Sequence, residues 1–221
     1  MKLGISILKS IPLFSELSEN DLSKLSKIVK HRSFKKGEII VEEEKKGSVF
    51  YLVLSGKVKV FQKGPQGKRK TLAVLERGDF FGEMSLIDRS SRSANCEALE
   101  DSILLSISAK DFNSFIMKDN RILIKITQAL VKRLRKADAE IKALTFQSIL
   151  ERLIWKLLEI SRLRRTSKIQ LSLKELEEMI GSSREVISRA ISRIIKIGVI
   201  EREGNKIIIK DKKKMKKLAN F

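Results

Sequence analysis

The sequence predicts an α+β chain in three parts: an antiparallel, jelly-roll-like β-roll, a long helix, and a C-terminal winged helix-turn-helix. Three observations predict it. Short runs rich in β-branched and aromatic residues, such as SVFYLVLSGKVKVFQK and SILLSIS, alternate with glycines between Gly37 and Ser108. No Gly or Pro then occurs from Asp111 to Phe146. Finally, IQLSLKELEEMIGSSREVISRAISRIIKIGVIEREGNKIIIKD reads strand, helix, turn, helix, hairpin.

Each part has its own signature. Residues 11–30 place Leu22, Leu25 and Ile28 at helical spacing. The strands that follow are broken by Gly47, Gly56, Pro65-Gln66-Gly67, Gly78 and Gly82. No crossover helix separates them, which excludes a parallel α/β sheet. Along the glycine-free stretch, Leu123, Thr127, Leu130, Leu134, Ala137, Ile141 and Leu144 alternate spacings of four and three. One narrow apolar stripe with charged flanks predicts a two-stranded coiled coil, and so a homodimer through the helix around 120–145. The other reading is a helix packed on its own β domain. Three Ser-x-x-Glu patterns (Ser148/Glu151, Ser172/Glu175, Ser182/Glu185) read as capping boxes. Gly181 falls at the turn between two helices, and Gly204-Asn205 at a hairpin. The tail KDKKKMKKLANF reads as a frayed helix or solvated end. The expected division is 1–110, 111–147 and 148–221.

Charge narrows the partners. The 221 residues carry 47 Lys/Arg and 27 Asp/Glu, a net +20. The last 74 residues hold 19 basic and 9 acidic side chains, half the excess on a third of the length. Such an excess suits a polyanion, and double-stranded DNA is preferred to a membrane surface. One cysteine (Cys96) and one histidine (His31) exclude a disulfide framework, a zinc site and a Ser/His/Asp triad beyond that single imidazole. No enzyme activity, cofactor or metal is expected, and cysteine usage fits the cytoplasm. No run approaches the ~18 apolar residues of a membrane span.

Two constellations carry chemistry. At the start of the second helix of the pair, Arg184, Glu185, Ser188 and Arg189 cluster, while Val186, Ile187, Ala190 and Ile194 can face inward. A recognition helix reads base edges with its first turns; arginine pairs bidentately with guanine and glutamate accepts from cytosine. The bland alternative is a solvated Glu185–Arg189 pair. The second constellation is GEMSLIDRSSRSA. Gly82 permits close backbone approach, and a turn from Met84 exposes N–H groups to an anion. Arg92 can clamp a phosphate with two hydrogen bonds, Ser93 adds a hydroxyl, and Glu83 suits a sugar hydroxyl. By spacing alone, a structural Glu83–Arg92 bridge is an equal reading.

These motifs resemble those of the cyclic AMP receptor protein / fumarate–nitrate regulator family of bacterial transcription factors. IPLFSELSENDLSKL, SGKVKV and GDFFGEMSLIDRSSRSA look like its cyclic-nucleotide-binding domain, and IGSSREVISRAISRI like its recognition helix. The likeness runs through about residues 8–210 in order. It implies that Glu83 holds a ribose hydroxyl and that Arg92 and Ser93 hold the cyclic phosphate; Arg89, lacking the following Ser-Ala, ranks second. It implies that Arg184, Glu185 and Arg189 read a TGTGA-type palindromic half-site, with Lys174 and Ser183 on the DNA backbone. Ala137-Asp138 stands where the family offers Thr-Ser to adenine. Ala137 has no hydroxyl, whereas Asp138 can accept from adenine's amine or from guanine N1 and N2 hydrogens. The expected effector is cyclic AMP, with cyclic GMP or another small anion as the alternatives. RNA polymerase is the expected protein partner of an allosteric activator. A cyclic-nucleotide-binding regulatory subunit is the remaining rival.

Overall fold

The computed structural model describes residues 4–146 and 148–219. The chain divides into two compact units, Met1–Gly64 with Thr71–Arg133 and Pro65–Lys70 with Leu134–Phe221. The division falls inside the long helix.

The first unit opens with two helices, α1 (Ile5–Lys9) and α2 (Glu19–Ile28). Ser18 caps α2 by accepting from the Asp21 N–H at 3.1 Å. Eight strands follow: β1 (Lys30–Phe34), β2 (Ile39–Val41), β3 (Val49–Ser55), β4 (Val58–Lys63), β5 (Arg69–Leu75), β6 (Phe80–Phe81), β7 (Asn95–Ala98) and β8 (Ser102–Ser108). They make two four-stranded sheets, ordered β1-β8-β3-β6 and β2-β7-β4-β5. The described strand pairings are antiparallel, as Phe50 opposite Ile107 and Val58 opposite Ala98 illustrate. This is the roll expected from the glycine-punctuated runs. Its first strand begins before Gly37, where the sequence reading began. KHRSF lacks apolar alternation because β1 is an edge strand exposed almost throughout. One turn, α3 (Met84–Ile87), interrupts the strands.

The apolar core of this unit joins Phe14, Leu22, Leu25, Phe50, Phe80, Leu105 and Ile107 to Phe112 and Ile116, and then to Ile122 and Ile126. A second cluster, including Val53, Val58, Phe81, Cys96 and Leu104, fills the interior between strands. The segment after β8 is not one helix. α4 (Ala109–Ser114) ends in a 3-10 turn at Ile116–Lys118, and Asp119 adopts an extended conformation before α5 (Asn120–Phe146). The Asp119 carboxylate accepts from the Arg121 N–H at 3.0 Å, which caps the new helix without glycine or proline. On α5, Ile122 and Ile126 are buried, whereas Leu134 and Ile141 are each 62% exposed and Val131 44%. Thus one stripe packs on the roll, and the heptad seam continues as an exposed apolar row. The side chain of Leu144 and all of Gln147 lie outside the described residues.

The second unit packs α6 (Ile149–Leu163), α7 (Leu173–Ile180) and α8 (Arg184–Lys196) around Leu153, Leu157, Leu176, Ile187, Ile191 and Ile194. A three-stranded sheet, ordered β10-β11-β9, joins β9 (Lys168–Gln170), β10 (Ile200–Glu203) and β11 (Lys206–Ile209). Its β10–β11 hairpin turns at Gly204-Asn205, as the sequence predicts, with Glu203 opposite Lys206. The capping boxes at Ser148/Glu151 and Ser172/Glu175 form completely. The one expected at Ser182/Glu185 does not. The N-cap of α8 is Ser183, one residue later, and its third helical residue is Val186, which offers no carboxylate. The lysine tail is helical, as one of the two readings had it, but the helix is anchored rather than frayed. It folds as α9 (Lys212–Leu218), capped by Asp211 and anchored by a fully buried Met215.

Candidate ligand cradle and DNA-reading helix

The stretch GEMSLIDRSSRSA runs from β6 through α3 to β7 in the first unit. Gly82 has φ +85°, and a Cβ there would lie 2.5 Å from Arg92 Nη1 and 2.8 Å from the Val49 carbonyl. Glycine is thus required both by backbone conformation and by the closeness of the arginine. α3 is a single turn of four residues, so its dipole adds little to the anion attraction expected of it. The positive charge at the site comes from side chains.

Arg92 is only 7% exposed. Its Nη1 donates to the Gly82 carbonyl and to Ser85 Oγ, both at 2.9 Å, and Nη2 donates to the Val49 carbonyl at 2.5 Å. A guanidinium has five N–H donors. Three are thus held by protein, and Nε–H with one Nη2–H have no partner among the described residues. Burial pulls the Arg92 pKa down, with Tyr51, Cys96 and Glu83 pulling the other way. It nevertheless stays cationic at neutral pH.

Glu83 does not bridge to Arg92 in the recorded ion pairs. It is 1% exposed and pairs with Arg133 of α5, whose Nη1 donates to Oε1 at 2.7 Å. Arg133 Nη2 donates to the Phe80 carbonyl, and the guanidinium lies 5.0 Å from the Phe80 ring centroid. Burial pushes the Glu83 pKa up, with Arg133 pulling the other way. The second oxygen, Oε2, is buried with no hydrogen-bond partner among the described residues. Such an atom costs about 1–3 kcal/mol until a donor reaches it.

The remaining cradle residues lie at the rim. Ser93 is exposed, and its hydroxyl points to Met84 Sδ at 3.7 Å; Met84 is 47% exposed. Arg89 is exposed at φ +60° and makes no recorded contact to the cradle. The structure therefore brings Gly82, Glu83, Met84, Arg92 and Ser93 together around α3. Asp138 and Ala137 are exposed on the part of α5 that belongs to the second unit. Sequence reading missed Arg133, Ser85 and Gly47. The signal for Arg133 was its place one residue before seam residue Leu134, beside the helix face that meets the roll. Cys96 is buried nearby, its thiol pushed up to about 12 by burial, so it is no nucleophile.

In the second unit, Gly181 ends α7 at φ +73° and donates to the Glu177 carbonyl at 2.8 Å. Residues 181–183 then turn the chain into α8. Ile187, Ala190, Ile191 and Ile194 are buried, spaced on one helical face. Ser183, Arg184, Glu185 and Arg189 are exposed at the other, Ser188 is half-buried, and Lys174 is exposed on α7. The Glu185–Arg189 ion pair does not form among the described residues, and Arg184 and Arg189 make no recorded protein contact. Two unpaired arginines and a free glutamate at the start of a helix are chemically fit to read base edges.

Known proteins agree with both halves. Residues 31–119 match the model of the cyclic nucleotide-binding domain, and residues 151–218 that of the Crp-like helix-turn-helix domain. The cyclic AMP receptor protein of Thermus thermophilus is 33% identical over 193 residues, 87% of this chain and 89% of its own. The CRP-like cAMP-activated global transcriptional regulator of Mycobacterium tuberculosis is 24% identical over 220 residues, covering 96% and 98%. A solved transcriptional regulator of the CRP/FNR family from Thermus thermophilus superposes with a TM-score of 0.74 at 28% identity, covering 87% of this chain and 99% of that one. Fold and site thus define a DNA-binding transcription regulator that carries a cyclic-nucleotide-binding domain. The chain belongs to the cyclic AMP receptor protein / fumarate–nitrate regulator family.

The Glu83–Arg133 pair makes a direct test of the cradle's architecture. Removing one partner of a buried pair strands a charge and typically costs ~3–5 kcal/mol. Arg133 remains 38% exposed, so water recovers part of that cost. Arg133→Ala should lower unfolding free energy by about 2 kcal/mol in urea titration. Glu83→Gln, which removes the buried charge, should lower it less.

Proposed function

We propose that this protein is a homodimeric transcription regulator of the cytoplasm, switched by a cyclic nucleotide and without enzymatic activity. The observation that carries the reading is Arg92. A buried guanidinium is held on three donors by Gly82, Ser85 and Val49, with two donors left over. Two parallel N–H donors are what a phosphate accepts from arginine. Glu83 Oε2, buried and without a donor, suits a ribose hydroxyl, and Ser93 at the rim suits a phosphate oxygen. The names of the two curated relatives, which specify cyclic AMP, favour that nucleotide, with Asp138 proposed to meet the base.

On this reading residues 1–110 bind the effector, 111–147 form the dimerisation helix and hinge, and 148–221 bind DNA. The exposed seam residues Leu134 and Ala137 support pairing with a second copy. Two recognition helices would then enter successive major grooves of a palindromic TGTGA-type site, about one helical turn apart. Arg184, Glu185 and Arg189 would read bases, Lys174 and Ser183 would contact the backbone, and Ser188 lies in the same DNA-binding cluster. RNA polymerase is the proposed partner of the DNA-bound dimer, acting as an activator.

The test is DNA affinity for such a site with and without cyclic AMP and cyclic GMP, by fluorescence anisotropy. Cyclic AMP should tighten binding at least tenfold, about 1.4 kcal/mol of coupling. Arg92→Ala should abolish that gain while leaving nucleotide-free affinity within about twofold. If neither nucleotide changes DNA affinity, or Arg92→Ala responds as wild type does, the effector reading fails.

Arg189→Ala should lose about 1–3 kcal/mol of discrimination between specific and random DNA, with little change for random DNA. Equal losses on both would make it a phosphate contact. In sedimentation equilibrium Leu134→Glu should run as a monomer at concentrations where wild type is dimeric, because like charges would face each other across the seam.

A further inference from the structure

Ser85 is a second residue the cradle's chemistry depends on. It is 5% exposed on α3, and its Oγ lies 2.9 Å from Arg92 Nη1. Arginine has no acceptor, so the serine oxygen must receive this bond. The hydroxyl proton is then left for the Gly82 carbonyl, 3.5 Å away. Ser85 and Arg92 thus share Gly82 as acceptor, which closes a small ring of polar groups inside the unit. The ring exists only because position 47 carries no side chain. A Cβ on Gly47 would lie 2.1 Å from Ser85 Oγ, 2.8 Å from Ser85 Cβ and 3.0 Å from Arg92 Cζ. Gly47 has no positive φ, so its backbone does not demand glycine; the space does.

We propose that Ser85 is a positioning residue for the effector phosphate. Its hydroxyl, admitted by the bare Gly47, fixes the Arg92 guanidinium before ligand arrives. This rests on the reading of Arg92 as the phosphate ligand. With the Val49 and Gly82 carbonyls alone, the guanidinium is held by its covalent tether and two hydrogen bonds, and one Nη1–H lacks an acceptor. The Ser85 oxygen takes that donor, which raises the barrier to rotation about Nε–Cζ and keeps the two unspent donors aimed. Ordering an arginine at the moment of binding would otherwise be charged against affinity.

The experiment reads the guanidinium directly and needs no ligand. In ligand-free protein, Arg92 Nη signals, assigned by their loss in Arg92→Lys, should be resolved in proton–nitrogen spectra because rotation is restrained. In Ser85→Ala they should average to one signal. Gly47→Ala should do the same from the loop before β3. Ser85→Cys keeps the volume with a weaker acceptor, and serves if the alanine variant does not fold. Resolved signals in the folded Ser85 variants would overturn the proposal whether or not any nucleotide binds.

Calorimetry with cyclic AMP supplies the second arm. Ser85→Ala should weaken binding about tenfold, the range of one hydrogen bond to a charged group. Added to Arg92→Ala it should cost nothing further, since the serine acts only through the arginine. Full additivity would make Ser85 a ligand contact in its own right and sink the positioning role. If wild type binds neither cyclic AMP nor cyclic GMP, the phosphate assignment of Arg92 fails and this role falls with it; averaged signals in Ser85→Ala would then show that the contact itself was correctly read.

Discussion

A carboxylate shut away from water has to meet a cation, and Glu83 meets Arg133. Leaving that carboxylate buried without its cation costs stability, so the pair fixes where both residues lie. The pair ties the turn after β6 to α5, across 50 residues of sequence. Arg133 is further held by the Phe80 carbonyl and stacked over the Phe80 ring. Below it, Ile122 and Ile126 anchor the same helix in the core of the roll. Polar and apolar contacts therefore agree on where the first half of α5 lies.

Charge balance follows from this arrangement. Two guanidiniums and one carboxylate share the region around α3, for a net +1. A ligand with a single negative charge leaves the site neutral, and in a poorly solvated pocket neutrality is worth having. A ligand with two negative charges would need a further cation, and among the described residues neither the Arg89 guanidinium nor a lysine ammonium is hydrogen-bonded to a cradle side chain. Electrostatics thus favour a cyclic phosphodiester over a terminal phosphate, independently of any hydrogen bond.

Much of this was legible in the sequence. The strand texture, the glycine at 181, the Gly204-Asn205 hairpin and two of three capping boxes each reflect chemistry local to a few residues, which a linear reading can weigh. Gly82, Glu83, Arg92 and Ser93 were legible for the same reason, as one short motif. The misses share the opposite property. Arg133 was hidden in a run of charged residues on a helix flank, and only the fold decides which of them meets a carboxylate. Gly47 looked like ordinary loop punctuation, because the atoms that exclude a side chain come from residues 85 and 92. The break at Asp119 was missed because a carboxylate cap stops and restarts a helix without glycine or proline. The tail was read from its lysines, whereas one buried methionine decides its fate.

Selection of the base and operation of the switch are separable on this structure. A ligand changes DNA affinity only by as much as it prefers one state over the other. A tenfold change needs about 1.4 kcal/mol. A hydrogen bond to a charged group is worth about 1.5–3 kcal/mol. Glu83 Oε2 is buried and has no donor, so a single ligand hydroxyl that reaches it in one state only would supply the whole of that coupling. Glu83 already grips Arg133 through its other oxygen, so the gain is delivered at the middle of α5. On the proposed reading Asp138, five residues further along that helix, would contribute to which base is held. It need not contribute to whether holding it matters. On that reading a substitution at position 138 can change which nucleotide is preferred and leave the switch working.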